Sequence, residues 1–425
     1  MKQQKPFHVM TKPIGAICNL DCEYCYYLEK EDLYPETKSF RMKESTLENY
    51  IRQYIEAQST FPEVTFAWQG GEPTLMGIEF FRKAVELQDK YRPSGMTIRN
   101  SLQTNGTIIN DEWATFFKQN NFLIGISIDG PSKLHDHYRF GKKGEPSSAD
   151  VIRGLKLFQK HQVDYNILCV VNNYNGDYPV QIYNYFKGLG AQFIQFIPIV
   201  EHFGDGSEVS PRSVNPKQYG RFLCAVFDEW VKADIGKIFI QIFDVSLEAW
   251  LGFKPSLCIF NETCGDAMAM EHNGDVYACD HYVTPEYLVG NIGETPITDI
   301  IDLPFQRKFG EDKKDTLPPY CLDCEVRFVC NGGCPKNRFI DTPDGDPGLN
   351  YLCEGYKAFY SHTEPYFQKM AECLRMGYFA EDWNNLGALK EQARHSKPLQ
   401  KPDKKMGRNG PCLCGSGKKY KKCCG

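Results

Sequence analysis

The chain has 425 residues, 42% of them hydrophobic, which is enough for two or three domains with sizeable cores. No stretch approaches the ~20 apolar residues of a membrane span, and the opening Met-Lys-Gln-Gln-Lys-Pro lacks the apolar core of a secretory signal, so a cytoplasmic protein is expected. The net charge of −5 is uneven: nine Lys/Arg against one Asp fall after residue 396, which leaves an acidic body with no nucleic-acid footprint and a basic tail as the one place for such contact. In a cytosolic chain, 18 cysteines in groups read as metal ligands rather than disulfides.

Up to about residue 240, short β-rich runs alternate with helical patterns. Strands are expected at 7–14, 63–69, 97–103, 122–129, 164–171 and 192–198. Helices are expected near 43–59, 77–91, 110–120, 148–162, 177–189 and 216–233. Such alternation predicts right-handed βαβ units and an α/β fold with a parallel sheet. Six strands are too few for a closed barrel of eight. In barrels of this kind the chemistry sits at the C-terminal ends of the strands.

The loop after the first strand carries Cys18, Cys22 and Cys25 in the spacing C-x3-C-x2-C, with Tyr24 just before the last cysteine. A 4Fe–4S cluster normally takes four thiolates, so three protein ligands leave one iron open to a non-protein ligand, as at catalytic zinc. The alternative is a cysteine-rich loop or a zinc knuckle lacking one ligand. The next loop, Gln69-Gly-Gly71-Glu-Pro73, has adjacent glycines that let backbone approach a ligand. Strand three ends in Asn105-Gly106. Strand four ends in Ser127-Ile-Asp129, followed by His135, His137 and Arg139. His135 and His137 read as surface residues.

The three-cysteine motif resembles the signature of radical S-adenosylmethionine (SAM) enzymes. From about Pro6 to Arg375 the chain resembles their anaerobic sulfatase-maturating branch. The resemblance implies a partial (β/α)6 TIM-like barrel. It implies that Tyr24, Gly71, Ser127, Arg139 and Val200 contact SAM, with the guanidinium fork of Arg139 suited to the SAM carboxylate. It also implies that Tyr27 and Gln69 lie near the substrate side chain.

Eight further cysteines fall in two groups, Cys258, Cys264 and Cys279, then Cys321, Cys324, Cys330, Cys334 and Cys353. Eight thiolates make two four-ligand sites; spacing alone does not pair them, and zinc also accepts four cysteines. The resemblance, here to the SPASM extension, implies a first auxiliary 4Fe–4S cluster on Cys258, Cys264, Cys279 and Cys334. It implies a second on Cys321, Cys324, Cys330 and Cys353. A hairpin is expected at Glu271–Cys279, with Asn273-Gly274 at the turn. It delivers Asp280, which the resemblance makes the general base. Cys169 and Cys224 read as core.

Residues 376–406 read as a linker. Four cysteines, Cys412, Cys414, Cys423 and Cys424, then crowd a stretch too short for a core, so a metal is needed to fold it. This tail resembles the SEC-C zinc motif. The expected domains are therefore a radical SAM barrel at 1–240, a SPASM-type domain at 241–375, the linker, and the tail at 407–425. The implied activity is oxidation of a Cys or Ser in a sulfatase motif to Cα-formylglycine under anaerobic conditions. Its partners would be a sulfatase polypeptide and an electron donor such as flavodoxin or ferredoxin. The alternatives are another SPASM-type peptide maturase, cross-linking or epimerising, and a non-catalytic zinc adaptor.

Overall fold

The computed structural model describes residues 5–203 and 208–395. Six strands run parallel and in chain order: β1 (His8–Lys12), β2 (Glu63–Trp68), β3 (Thr97–Thr104), β4 (Phe122–Ser127), β5 (Asp164–Val171) and β6 (Phe193–Pro198). Between them stand α1 (Glu44–Ala57), α2 (Ile78–Tyr91), α3 (Asp111–Gln119), α4 (Ser148–His161) and α5 (Pro179–Gly188), with α6 (Pro216–Ala233) after β6. These are the six strands and six helices expected from the sequence, displaced by no more than two residues at most ends. The strands alternate one side chain toward the helices and the next toward the concave face. Phe66, Trp68, Phe122, Ile124 and Ile126 face the helices, where Tyr50, Tyr54, Phe81, Phe117 and Phe158 close over them.

The sheet does not stop at six. Four more strands extend it: β7 (Phe239–Ile240) beside β6, and β8 (Ala267–Glu271), β9 (Asp275–Tyr277) and β10 (Leu288–Asn291) beyond β1. β8 pairs parallel with β1 over five residues, from His8 against Ala267 to Lys12 against Glu271. The barrel thus stays open on the β6–β7 side, while its other edge is continued by the segment that carries the later cysteines. Two- to five-residue strands carry too little periodicity to be read in isolation, which is why only the β8–β9 hairpin was anticipated. Its turn is as expected: Gly274 takes φ 95° and its N–H donates to the Glu271 carbonyl.

Downstream, α7 (Gln241–Trp250) and the long α8 (Cys353–Arg375) pack on the barrel. α8 crosses α6 at two facing glycines. A Cβ on Gly220 would lie 2.9 Å from Gly355 Cα, and one on Gly355 would lie 2.3 Å from the Pro216 carbonyl oxygen. This close crossing seats Cys353, the first residue of α8. Among the described residues no helix is long and apolar enough to cross a membrane.

Gly355→Ala should therefore force α6 and α8 apart and lower stability by about 1–3 kcal/mol, the usual cost of overpacking. Thermal unfolding under anaerobic conditions measures it. An unchanged melting temperature would mean that this crossing has slack.

Candidate active site

The loop after β1 is fastened at both ends before any ligand is considered. Gly71 N–H donates to the Gly15 carbonyl and Glu72 N–H to that of Ile17, both at 2.8 Å. A Cβ on Gly71 would stand 2.0 Å from Ile17 O, so only glycine permits this approach of the two loops. On the far side, Asp21 and Glu23 N–H groups donate to the Phe140 and Tyr138 carbonyls. Glu72 is wholly buried. Its carboxylate accepts from Thr74 N–H at 3.0 Å, Thr104 Oγ1 at 2.8 Å and Asn105 N–H at 2.7 Å, and so ties the β2 loop to the end of β3.

Cys18, Cys22 and Cys25 line one cavity of about 200 Å3 at the C-terminal ends of the strands. Burial pushes the Cys18 thiol up to about 12 and the Cys22 thiol up to about 11, with the Glu72 carboxylate raising Cys18 further. Such thiols stay protonated until a metal displaces the proton. Cys18 Sγ also accepts from Leu20 N–H at 3.4 Å and Asn105 Nδ2 at 3.7 Å, the kind of bond that tunes a cluster ligand.

All five residues expected at SAM, namely Tyr24, Gly71, Ser127, Arg139 and Val200, line this same cavity. Arg139 Nη1 donates to the Tyr24 hydroxyl at 2.9 Å, and that hydroxyl donates to Asp129 Oδ2. Arg139 Nε is buried with no partner among the described residues. A buried guanidinium with a donor to spare suits a carboxylate at the cavity wall. His135 is not a surface residue, as the sequence had implied, but is 1% exposed. Its Nδ1 accepts from Asp129 N–H, its Nε2 faces Ser147 Oγ at 3.1 Å, and that hydroxyl donates to the Arg139 carbonyl. The imidazole therefore braces the segment that carries Arg139, and burial keeps it neutral by lowering its pKa. The sequence reading missed this because no local pattern marks a histidine that bonds across a turn. His137 is exposed and stacks on Tyr174.

Tyr27 and Gln69 line the cavity as well. Asp280 does not, but one residue links it to both. Lys12, 1% exposed, places Nζ 2.5 Å from Asp280 Oδ1, donates to Gln69 Oε1 at 2.6 Å, and lies 4.4 Å from the centre of the Tyr27 ring. Asp280 Oδ2 accepts from the Tyr26 hydroxyl at 2.7 Å. Burial would raise the Asp280 carboxyl, but the Lys12 ammonium, with His281 and the Tyr26 hydroxyl, outweighs it and holds the group below the usual carboxylate range. The Tyr27 hydroxyl donates to buried Glu271, the cross-strand partner of Lys12. Sequence reasoning missed Lys12 and Glu271. A charged residue ending an otherwise buried strand was the available signal.

Cys321, Cys324, Cys330 and Cys353 line one small cavity. The charges of Cys258 and Cys334 act on both Cys264 and Cys279, in addition to the dominant effect of burial. Among the described residues no three His, Cys, Asp or Glu side chains could hold a single metal ion. Four cysteines are the set a 4Fe–4S cluster normally takes, and a zinc site accepts the same set. Cys169 is buried in β5 as expected, and Cys224 is partly buried on α6. Cys412, Cys414, Cys423 and Cys424 lie outside the described residues.

Comparison with known proteins agrees with this geometry. The Radical SAM superfamily model matches residues 13–186, the SPASM iron-sulfur cluster-binding domain matches 258–325, and the SEC-C motif matches 408–425. A serine-type anaerobic sulfatase-maturating enzyme of Bacteroides thetaiotaomicron is 49% identical over 87% of this chain and 92% of its own length. A cysteine-type anaerobic sulfatase-maturating enzyme of Clostridium novyi is 38% identical over 84% and 95%. The solved structure of native anSMEcpe with bound AdoMet and Cp18Cys peptide superposes with TM-score 0.78 at 34% identity, covering 87% of this chain and 99% of that one. Streptococcus suis SuiB bound to precursor peptide SuiA, at 16% identity and TM-score 0.56, shares the fold alone. Identity of this extent, over a barrel whose three-cysteine loop and polar wall meet in one cavity, sets aside the non-catalytic zinc adaptor: the chain belongs to the anaerobic sulfatase-maturating enzymes of the radical SAM superfamily.

Proposed function

We propose that this chain oxidises a Cys or Ser side chain of a sulfatase polypeptide to Cα-formylglycine. The observation that carries the reading is the meeting of two constellations. One cavity holds the three-cysteine loop and the Arg139 wall, and against it stands the Lys12–Asp280–Gln69 cluster. Residues 1–240 form the radical SAM unit and 241–375 the SPASM unit, with 376–406 as linker and a zinc-binding tail at 407–425. Cys18, Cys22 and Cys25 hold a cluster with one open iron. Cys258, Cys264, Cys279 and Cys334 hold a second, and Cys321, Cys324, Cys330 and Cys353 a third. When bound, the clusters and SAM supply a carbon radical that takes a hydrogen atom from the substrate Cβ, and a sink for one further electron. A flavodoxin- or ferredoxin-type protein is the external donor.

The chain's own residues do the rest. Arg139 and Ser127 orient the polar end of SAM, with Gly71 presenting backbone to it and Tyr24 and Val200 closing its sides. Tyr27 and Gln69 confine the substrate side chain. Asp280 takes the proton from the substrate thiol or hydroxyl as the carbon–heteroatom double bond forms. A carboxylate offers about four lone-pair positions, so Asp280 can serve Lys12, Tyr26 and the substrate together. A thioaldehyde then hydrolyses to the aldehyde, whereas a serine yields it directly. Anaerobic incubation of the full chain with SAM, dithionite and a Cys-x-Pro-x-Arg peptide or its serine counterpart, read by mass spectrometry, tests the whole reading. Absence of aldehyde from both peptides would overturn it.

Replacing Cys18, Cys22 and Cys25 together by Ala should abolish 5′-deoxyadenosine formation yet leave about eight irons per chain, four in each remaining cubane. Persistent SAM cleavage would place the open cluster elsewhere.

Asp280→Asn keeps size and polarity but cannot accept the proton. Formylglycine should fall by roughly 10²–10⁴-fold, the usual contribution of a positioned base, while SAM cleavage continues and outruns it. Lys12→Met should show the same uncoupling, because Asp280 loses its counter-charge. Wild-type aldehyde yield from either variant would remove that residue from the proposed machinery.

A chain ending near Gln400 should keep all three clusters, convert a short peptide and lose one zinc by metal analysis. Loss of peptide turnover with clusters intact would make the tail part of the catalytic unit.

A further inference from the structure

Arg338 follows Cys334 in the segment that joins the two auxiliary thiol sets, since Cys330 stands in one and Cys334 in the other. Its side chain folds back into that segment. Nε donates to the Gly332 carbonyl at 3.0 Å, and Nη2 to the carbonyls of Asn331 at 2.8 Å and Gly333 at 3.2 Å. Nη1 donates to the Lys313 carbonyl at 2.5 Å. Asn331, Gly332 and Gly333 take φ of 45°, 71° and 62° in succession, and their three carbonyls end on one guanidinium. A Cβ on Gly332 would meet Arg338 Nη2 at 2.8 Å, so the glycine leaves the space this side chain fills.

All four acceptors are uncharged backbone oxygens. The groups whose negative charge acts on the guanidinium once they are ionised are cysteines, namely Cys321 and Cys330 of one set and Cys334 and Cys264 of the other. Arg is always charged and its fork is rigid, so the cation is fixed on the segment that runs from Cys330 to Cys334. Lys357 differs: its charge acts on Cys353 of one set, it is 39% exposed, and it pairs with Glu325. Solvent screens that charge.

We propose that Arg338 is a shared positioning residue of the two auxiliary clusters, bracing the Cys330–Cys334 segment and raising both reduction potentials with one charge. The inference rests on the ligand sets proposed above. A fixed cation favours the more negative, reduced form of an iron–sulfur centre, and net charge is among the levers that set its potential. The effect is larger where water is excluded. Raising both centres in step makes each a readier electron acceptor without setting one against the other.

The test uses the full chain with Cys18, Cys22 and Cys25 changed to Ala, so that only the auxiliary centres titrate in an EPR-monitored redox titration. Arg338→Met should retain about eight irons and shift both potentials downward. Arg338→Lys, which keeps charge but loses the fork, should lie between it and the parent at both centres. Lys357→Met should leave the Cys258 set at its parent potential. Unchanged potentials in Arg338→Met, movement of one centre alone, or an equal shift of both by Lys357→Met would overturn the inference. If Arg338→Met loses iron, Arg338→Lys decides: its two centres must still shift down together. Absence of two auxiliary signals from the parent would instead overturn the ligand sets.

Discussion

The parallel pairing of β1 with β8 is the constraint on which the site depends. β1 has only five residues, yet it bonds to β2 on one side and β8 on the other. The β2 side brings the Gly-Gly loop under the cysteine loop. The β8 side brings the SPASM hairpin into the barrel sheet, so that Cys279 and Asp280 arrive next to the end of β1. Register is what matters here: a slip of one residue would turn Lys12 to the other face of the sheet and break its contacts with Asp280, Gln69 and Tyr27 at once.

Charge is buried around this site only where it is answered. Lys12 meets Asp280, and Arg139 meets the Tyr24 hydroxyl, which donates to Asp129. Among the described residues Glu72 has no counter-ion in contact but accepts several hydrogen bonds, and burial raises its pKa. An uncompensated buried ion is expensive, so these partners hold the loops as firmly as apolar packing holds the helices. What remains unanswered is informative in the same terms. The Cys18 and Cys22 thiols, with their raised pKa values, and one orphaned guanidinium nitrogen mark where ligands absent from the polypeptide complete the structure.

The open edge of the barrel is equally a physical consequence. Six β/α units curve the sheet without closing it, and β8 to β10 occupy the edge on the β1 side. The β6–β7 edge is left exposed, with Phe193 stacked on Phe239.

Much of this was legible in the sequence. The periodicities of two and 3.6 located β1 to β6 and α1 to α6 because each is long enough to show its apolar face, and the cysteine spacings marked the metal-binding loops because their ligands are local. Tyr24, Gly71, Ser127, Arg139 and Val200 were named from resemblance, and the fold brought them to one cavity. Only the tertiary structure decided that β8 joins β1, that Lys12 links Asp280 to Gln69 and Tyr27, that His135 is a buried brace, and that Cys321, Cys324, Cys330 and Cys353 line one cavity. Those facts join residues far apart in the chain, from 12 to 280 or 264 to 334. No local periodicity encodes such contacts, because they exist only once strand register and helix crossing have been set by packing.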